Sequence, residues 1–321
     1  MLKTLVSNAC TNDCGYCPLR TGCDTPRCTL TPDEIARIFM DYVQRGGIFG
    51  LFLTSGVIRN PDFTMDRITS TAEILRKRYR YRGFIHLKII PGASDAAIQK
   101  AVSLSSAVSL NVEAPTAARF APLGKNKDFV RDIVQPIQLI SRLTDKSSRY
   151  ANVCQTTQFI VGASDEPDSE IVEATSRLYN KWNLGRVYFS AYQKGLGDTN
   201  LPGEQTQTSA GDLLTREHRL YQTDFLLRKY KFSAEDIPFD DGGNLRIDID
   251  PKQHWADRHP EFFPVKIMRA PRRELLRIPG LGPTYVSRIL DTRRNGLLRG
   301  LRDIGLRGKR LEATSQYVTM Q

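Results

Sequence analysis

Six short apolar runs, each followed by an amphipathic stretch, constrain this chain more than any other feature. They lie at residues 2–7, 48–53, 84–90, 107–112, 158–161 and 187–191. Runs this continuous suit the buried strands of a parallel sheet. The stretches between them carry helix starts. Thr31-Pro32-Asp33-Glu34 sets an N-cap hydroxyl, a first-turn proline and a capping-box glutamate ahead of residues 35–42. Further helices are expected at 64–79, 94–102, 128–143 and 168–182. Six strand–helix units imply a parallel sheet with helices outside it, curved into an incomplete barrel. A closed eight-unit barrel needs about 250 residues, more than this region supplies. The expected fold is α/β: a partial (β/α)6 TIM-type barrel over residues 1–200, with a small C-terminal helical module.

Three of the six cysteines follow the first run directly. Cys10, Cys14 and Cys17 form C-x3-C-x2-C within Ser7-Asn8-Ala9-Cys10-Thr11-Asn12-Asp13-Cys14-Gly15-Tyr16-Cys17. Three thiolates so close together can hold three irons of a [4Fe–4S] cluster and leave the fourth iron open to a small molecule. Zinc is the alternative, since Cys23 and Cys28 could complete a four-ligand knot. A disulfide framework fits poorly, because six cysteines in 321 residues are sparse and no signal peptide precedes them. Cys23 and Cys28 read as ordinary thiols, with a fourth ligand or a redox pair left open. Cys154 reads as a buried small residue.

With Tyr16 just before its third cysteine, this segment resembles the radical SAM superfamily. The resemblance implies S-adenosylmethionine bound at the open iron and cleaved reductively to a 5′-deoxyadenosyl radical. It also implies an electron donor such as flavodoxin or ferredoxin. Ligands of such barrels bind at the C-terminal ends of the strands. There, Thr54-Ser55-Gly56-Val57 resembles the glycine-rich stretch that grips the methionyl amino group, marking Ser55 and Gly56. Lys88 ends the third run. The fourth places Ser109, Asn111 and Glu113 on one face, where polar side chains are costly unless paired with a ligand or each other. Asn111 and Glu113 are therefore candidates for ribose hydroxyls or the methionyl ammonium. Gln158, Ile160 and Gly162 resemble the Gly-x-Ile-x-Gly stretch whose backbone reaches adenine. Tyr188, Ser190 and Tyr192 follow the sixth run, and His218 and Tyr192 are candidate proton or radical partners.

Residues 201–212 read as a loop, a helix is expected at 216–230, and 201–260 forms a linker and helical extension. Residues 261–312 read as a separate helical module. Between Pro271 and Arg310, eleven basic residues face three acidic ones, a net +8 of the chain's +11. A field of that sign suggests a polyanionic partner. Within it, residues 274–290 match a helix-hairpin-helix with a Pro279-Gly280-Leu281-Gly282 turn. Its second helix would offer unpaired N–H groups to a phosphate. Gly280, Leu281, Gly282, Thr284, Arg288, Arg293 and Arg294 are the candidate nucleic-acid contacts, and residues 303–306 a degenerate second hairpin.

Residues 50–58, 86–93, 158–164, 188–192 and 216–222, together with the hairpin, make nearly the whole chain similar to a family of DNA modification/repair radical SAM proteins. That resemblance implies a nucleic-acid base or nucleotide as substrate, with DNA ahead of RNA as the polymer. The alternatives are an RNA-modifying enzyme of the same class and a non-enzymatic iron–sulfur nucleic-acid-binding protein. No apolar stretch reaches the length of a membrane span, so a cytoplasmic protein is expected.

Overall fold

In the computed structural model, which describes residues 1–320, all six runs form strands of one parallel sheet in sequence order. They are β1 (Leu2–Leu5), β2 (Gly50–Thr54), β3 (Phe84–Lys88), β4 (Ala107–Ser109), β5 (Cys154–Val161) and β6 (Arg186–Ala191). β1 and β6 are the two ends of the sheet, so the barrel is partial. The connecting helices begin as their caps dictate. α1 (Pro32–Gln44) starts at a full Thr31/Glu34 capping box, and α2 (Pro61–Glu73) at Asn60, three residues before the expected start. α3 (Asp95–Leu104) is capped by Ser94. The stretch expected at 128–143 opens as a π-helical turn, Phe129–Val134, capped by Asp128, before α4 (Gln135–Leu143). α5 spans Asp168–Trp182.

The two faces of the sheet differ in chemistry. Leu51, Leu53, Ile85, Leu87, Val108, Phe159, Val161 and Val187 are completely buried and form the core. Alternate residues, among them Lys3, Phe52, His86, Lys88 and Ser109, line the other, concave face. The register proves their common side, pairing Lys3 with Phe52, Phe52 with His86 and Lys88 with Ser109.

Two strand boundaries depart from expectation at one point. β4 stops at Ser109, because the Thr157 hydroxyl takes the next ladder positions: it donates to Leu110 O (2.7 Å) and accepts from Val112 N (2.9 Å). β5 begins at Cys154, four residues early, and its polar start Gln155-Thr156-Thr157 explains why the apolar pattern missed it. Cys154 is exposed and not buried as expected. Residues 201–212 are not a plain loop either: Pro202–Gln205 make one helical turn, and α6 (Ala210–Lys229) starts before residue 216 because Ser209 caps it through Asp212 N (3.0 Å).

The chain divides into two compact units: Met1–Glu166 with Arg177–Leu213, and Pro167–Ser176 with Leu214–Gln321. In the second, α7 (Pro251–Asp257), α8 (Arg272–Leu275), α9 (Pro283–Arg294) and α10 (Gly308–Ser315) accompany a two-stranded pair, β7 (Val265–Lys266) with β8 (Val318–Thr319). Ile267, Leu275, Ile278, Val286, Ile289 and Leu306 are its completely buried centre. Arg277 is internal: its guanidinium lies over Phe232 (3.9 Å) and Trp255 (4.6 Å) and donates to Asp236 (2.7 Å). It is therefore removed from the surface charge counted in the sequence. Among the described residues no helix is long and apolar enough to cross a membrane.

Candidate functional site

The cysteine loop leaves β1 and is held from three sides. Beneath it, Gly56 N donates to Ser7 O (2.7 Å), Thr11 N to Val57 O (2.9 Å) and Val57 N to Cys10 Sγ (3.4 Å). A Cβ on Gly56 would sit 2.4 Å from Ala9 O, so this close approach of two backbones requires glycine. On one flank, Gly15 N donates to Leu123 O (2.8 Å), and Asp13 accepts from Lys125 N (3.0 Å). That contact brings Lys127 Nζ to 2.9 Å from Cys14 Sγ. On the other, Arg27 donates to the carbonyls of Asn8, Leu19, Arg20 and Cys23 and folds residues 18–28 back on the loop. Sequence reasoning missed Lys127 and Arg27, whose partners are set by tertiary contact and no local spacing.

These residues fit an iron–sulfur cluster. Cys10, Cys14 and Cys17 are soft donors on one short loop, and none is in a disulfide. Val57 N, Leu19 N and the Lys127 ammonium already point hydrogen bonds at their sulfurs, as ligand thiolates require. Burial alone would lower the Lys127 pKa, but Cys14 and Glu113 outweigh it and raise it. Among the described residues no three His, Cys, Asp or Glu side chains close on a point as around a single ion. A cubane does not need that, since each cysteine holds a different iron.

The polar wall beside the loop is built around Glu113. Beyond the Thr157 interruption the chain rejoins β5 through Glu113 N to Gln158 O (3.0 Å) and Ile160 N to Glu113 O (2.9 Å). Glu113 pays for that return with a left-handed φ of 63°, a strain of about 1–3 kcal/mol that concentrates at functional positions. One carboxylate oxygen accepts from Tyr16 OH (2.7 Å); the other is buried with no partner in the structure. Burial and the Glu113 charge push the Tyr16 hydroxyl well above its usual pKa, so it stays a donor. Lys88 donates to Asn111, and burial, partly opposed by Glu113, brings its pKa down to about 8. Ser109 Oγ is a second buried atom without a partner. Tyr16, Lys88, Asn111 and Glu113 are thus brought together, and a buried bare carboxylate oxygen suits a ligand ammonium or hydroxyl.

The other sequence candidates are placed less simply. The N–H groups of Gly56 and Val57 are committed to the cysteine loop, so this stretch offers a ligand only acceptor atoms, with Ser55 Oγ turned onto Gly56 O (2.6 Å). Gln158 and Ile160 stand on β5 beside Glu113. Gly162 adopts φ 81° and donates its N–H to Glu166 (2.6 Å). Tyr192 is buried with its hydroxyl on Glu204, which leaves it no proton to exchange with a ligand. His218 is exposed on α6.

In the second unit the residues around the Pro279–Gly282 turn line a cavity of about 550 Å³. Gly280 has φ 83°, with its α-carbon against Thr314, and Gly282 caps the twelve-residue α9. The helix before the turn, α8, is a single turn, shorter than a full hairpin arm. Leu281 is buried, and its carbonyl accepts from Lys252 Nζ (2.6 Å), a buried lysine that the sequence did not single out. Arg310 also lines the cavity, and Thr284, Arg288 and Arg294 are exposed. Arg293 is a correction: its guanidinium donates to Ile267 O and Ala270 O (both 3.0 Å), so it staples the unit together and is not a free contact.

No protein-family model and no curated protein sequence matches the chain. Its fold does match solved structures. It is similar to HydG, a maturase of the [FeFe]-hydrogenase (TM-score 0.52, 14% identity, covering 69% of this chain and 49% of that one). The HydG of Carboxydothermus hydrogenoformans gives TM-score 0.53 at 13% identity, covering 70% and 50%. Methylornithine synthase, PylB, gives 0.51 at 16%, covering 70% and 63%. The chain thus spans from about half to under two thirds of the length of these proteins. What they share is the six-stranded partial TIM barrel of radical SAM folds.

Proposed function

We propose that this chain is a radical SAM enzyme that modifies or repairs a nucleic-acid base or nucleotide, in DNA ahead of RNA. The observation that carries the first half is the three-cysteine loop beside a wall whose Glu113 holds a buried oxygen without a partner. The fold supports it, since the proteins that share it are radical SAM enzymes. Cys10, Cys14 and Cys17 would hold a [4Fe–4S] cluster, and Glu113, Asn111, Lys88 and Tyr16 would seat S-adenosylmethionine beside it. When bound and reduced by a donor such as flavodoxin or ferredoxin, this pair supplies a 5′-deoxyadenosyl radical for hydrogen abstraction. The chain's own part is placement. Glu113 carries the acceptor for an ammonium, Tyr16 orients Glu113, and Lys127 balances the thiolate of Cys14.

The nucleic-acid half rests on the second unit, whose α9 N-terminus, Lys252 and Arg310 surround one cavity with positive charge. Contacts to phosphate there grip without reading sequence and do not tell RNA from DNA. The test is anaerobic reconstitution with iron and sulfide, reduction, and chromatography for 5′-deoxyadenosine. The wild type should produce it and Cys14→Ala should not; persistent production by Cys14→Ala rejects the cluster assignment. Zinc in the anaerobically purified protein would reject it as well.

A further inference from the structure

The concave face of the half-barrel carries chemistry that cofactor binding does not use. A packed barrel is filled by layers of branched apolar side chains, yet here the inward positions of β1–β3 are Lys3, Phe52, His86 and Lys88. Lys3 Nζ lies over the Phe52 ring (5.9 Å), and that ring meets His86 edge-on at 4.6 Å. His86 is 8% exposed, and its Nε2 is buried without a partner; Ser109 Oγ, next to Lys88 in the register, is in the same condition. Unpaired buried polar atoms are rare in native proteins and call for a ligand. Burial, Lys88 and Lys3 together hold the imidazole neutral, with a pKa of about 4, so the cations here are the two lysines. On the far strand, β6, Tyr188 is 40% exposed on this same face, with Arg186 over its ring at 5.3 Å.

Two orphaned polar atoms, two ammonium groups and aromatic faces on both sides describe a site for a flat ring bearing a negative charge. We propose that this wall is the substrate site and that it takes a nucleotide unit, with its phosphate on Lys3 and Lys88 and its base against Phe52 or Tyr188. The assignment deepens the radical SAM reading and rests on it only for what happens to the nucleotide after binding. Lys3 and His86 lie two residues before Thr54 and Lys88 along their strands or pairing rows, about 6.6 Å further from the cysteine loop. The phosphate end of the substrate therefore sits below the cofactor.

Calorimetric titration of the reconstituted full-length protein, saturated with S-adenosylmethionine, tests this with thymidine 5′-monophosphate, thymidine and a short oligothymidylate. The monophosphate should bind at least about tenfold more tightly than thymidine, the scale of a hydrogen-bonded charge. Lys3→Gln, at an exposed position that should not disturb folding, should remove most of that difference and leave thymidine and S-adenosylmethionine binding within about twofold. Lys88→Met should do the same to the monophosphate. A tighter oligothymidylate identifies the polymer as the source and a tighter monophosphate the free nucleotide, provided Lys3→Gln weakens the one concerned. Equal affinity for thymidine and its monophosphate, or no response to Lys3→Gln, overturns the proposal. If S-adenosylmethionine does not bind, the radical SAM reading fails, and the same titrations without it still decide the wall.

Discussion

Glu113 shows how much one residue can carry. Its strained backbone closes the gap between β4 and β5, one oxygen orients Tyr16, and the other is left for a ligand. Glu113→Gln keeps an acceptor for Tyr16 and removes the charge. It should weaken S-adenosylmethionine binding by about tenfold or more, the loss of a charged hydrogen bond of about 1.5–3 kcal/mol, with the melting temperature little changed; calorimetry and thermal denaturation read the two effects. Gly56 is constrained by geometry alone. Gly56→Ala forces a Cβ to 2.4 Å from Ala9 O, so the cysteine loop must shift, and iron bound per chain after reconstitution should fall sharply. Both residues could be found from sequence, Glu113 by alternation along a strand and Gly56 through the resemblance. Lys127 and Arg27 could not, because a lysine 113 residues from its sulfur partner leaves no local pattern.

At the scale of elements, helix starts were the most legible feature, since a cap is a local bond between residues three apart. Thr31 with Glu34 forms as the spacing predicts. Strand ends were less so, because the Thr157 side chain replaces part of a ladder. In the second unit Lys252 links α7 to the Leu281 turn from inside. Burial, partly opposed by Asp250, lowers its pKa from the ordinary 10.5 to about 7. Between those values the unfolded chain keeps a proton that the folded unit has released, so stability rises with pH from about 7 to about 10.5. Urea midpoints across that window should climb in the wild type and climb less steeply in Lys252→Met. Lys88 adds the same sign above about 8, so some slope remains.

For the whole molecule, the excess positive charge predicts how a polyanion is held. With about three phosphates engaged, raising salt fourfold should weaken DNA binding by a few tens of fold, measured by fluorescence anisotropy with matched RNA alongside. Binding indifferent to salt would remove the basis for the nucleic-acid reading. The surface field is smaller than composition implies, because Arg277 is buried on Asp236 and Arg293 is tied to backbone carbonyls.

Strand and helix periodicity, cap chemistry and the spacing of Cys10, Cys14 and Cys17 are short-range properties, and reading the chain alone was enough to obtain the half-barrel and the thiolate trio. Which oxygen of Glu113 stays bare, which lysine reaches Cys14, and that the inner wall is lined by Lys3, Phe52 and His86 depend on partners far apart in the chain. Those were decided only by folding, because burial and pairing are properties of the packed chain and not of any segment.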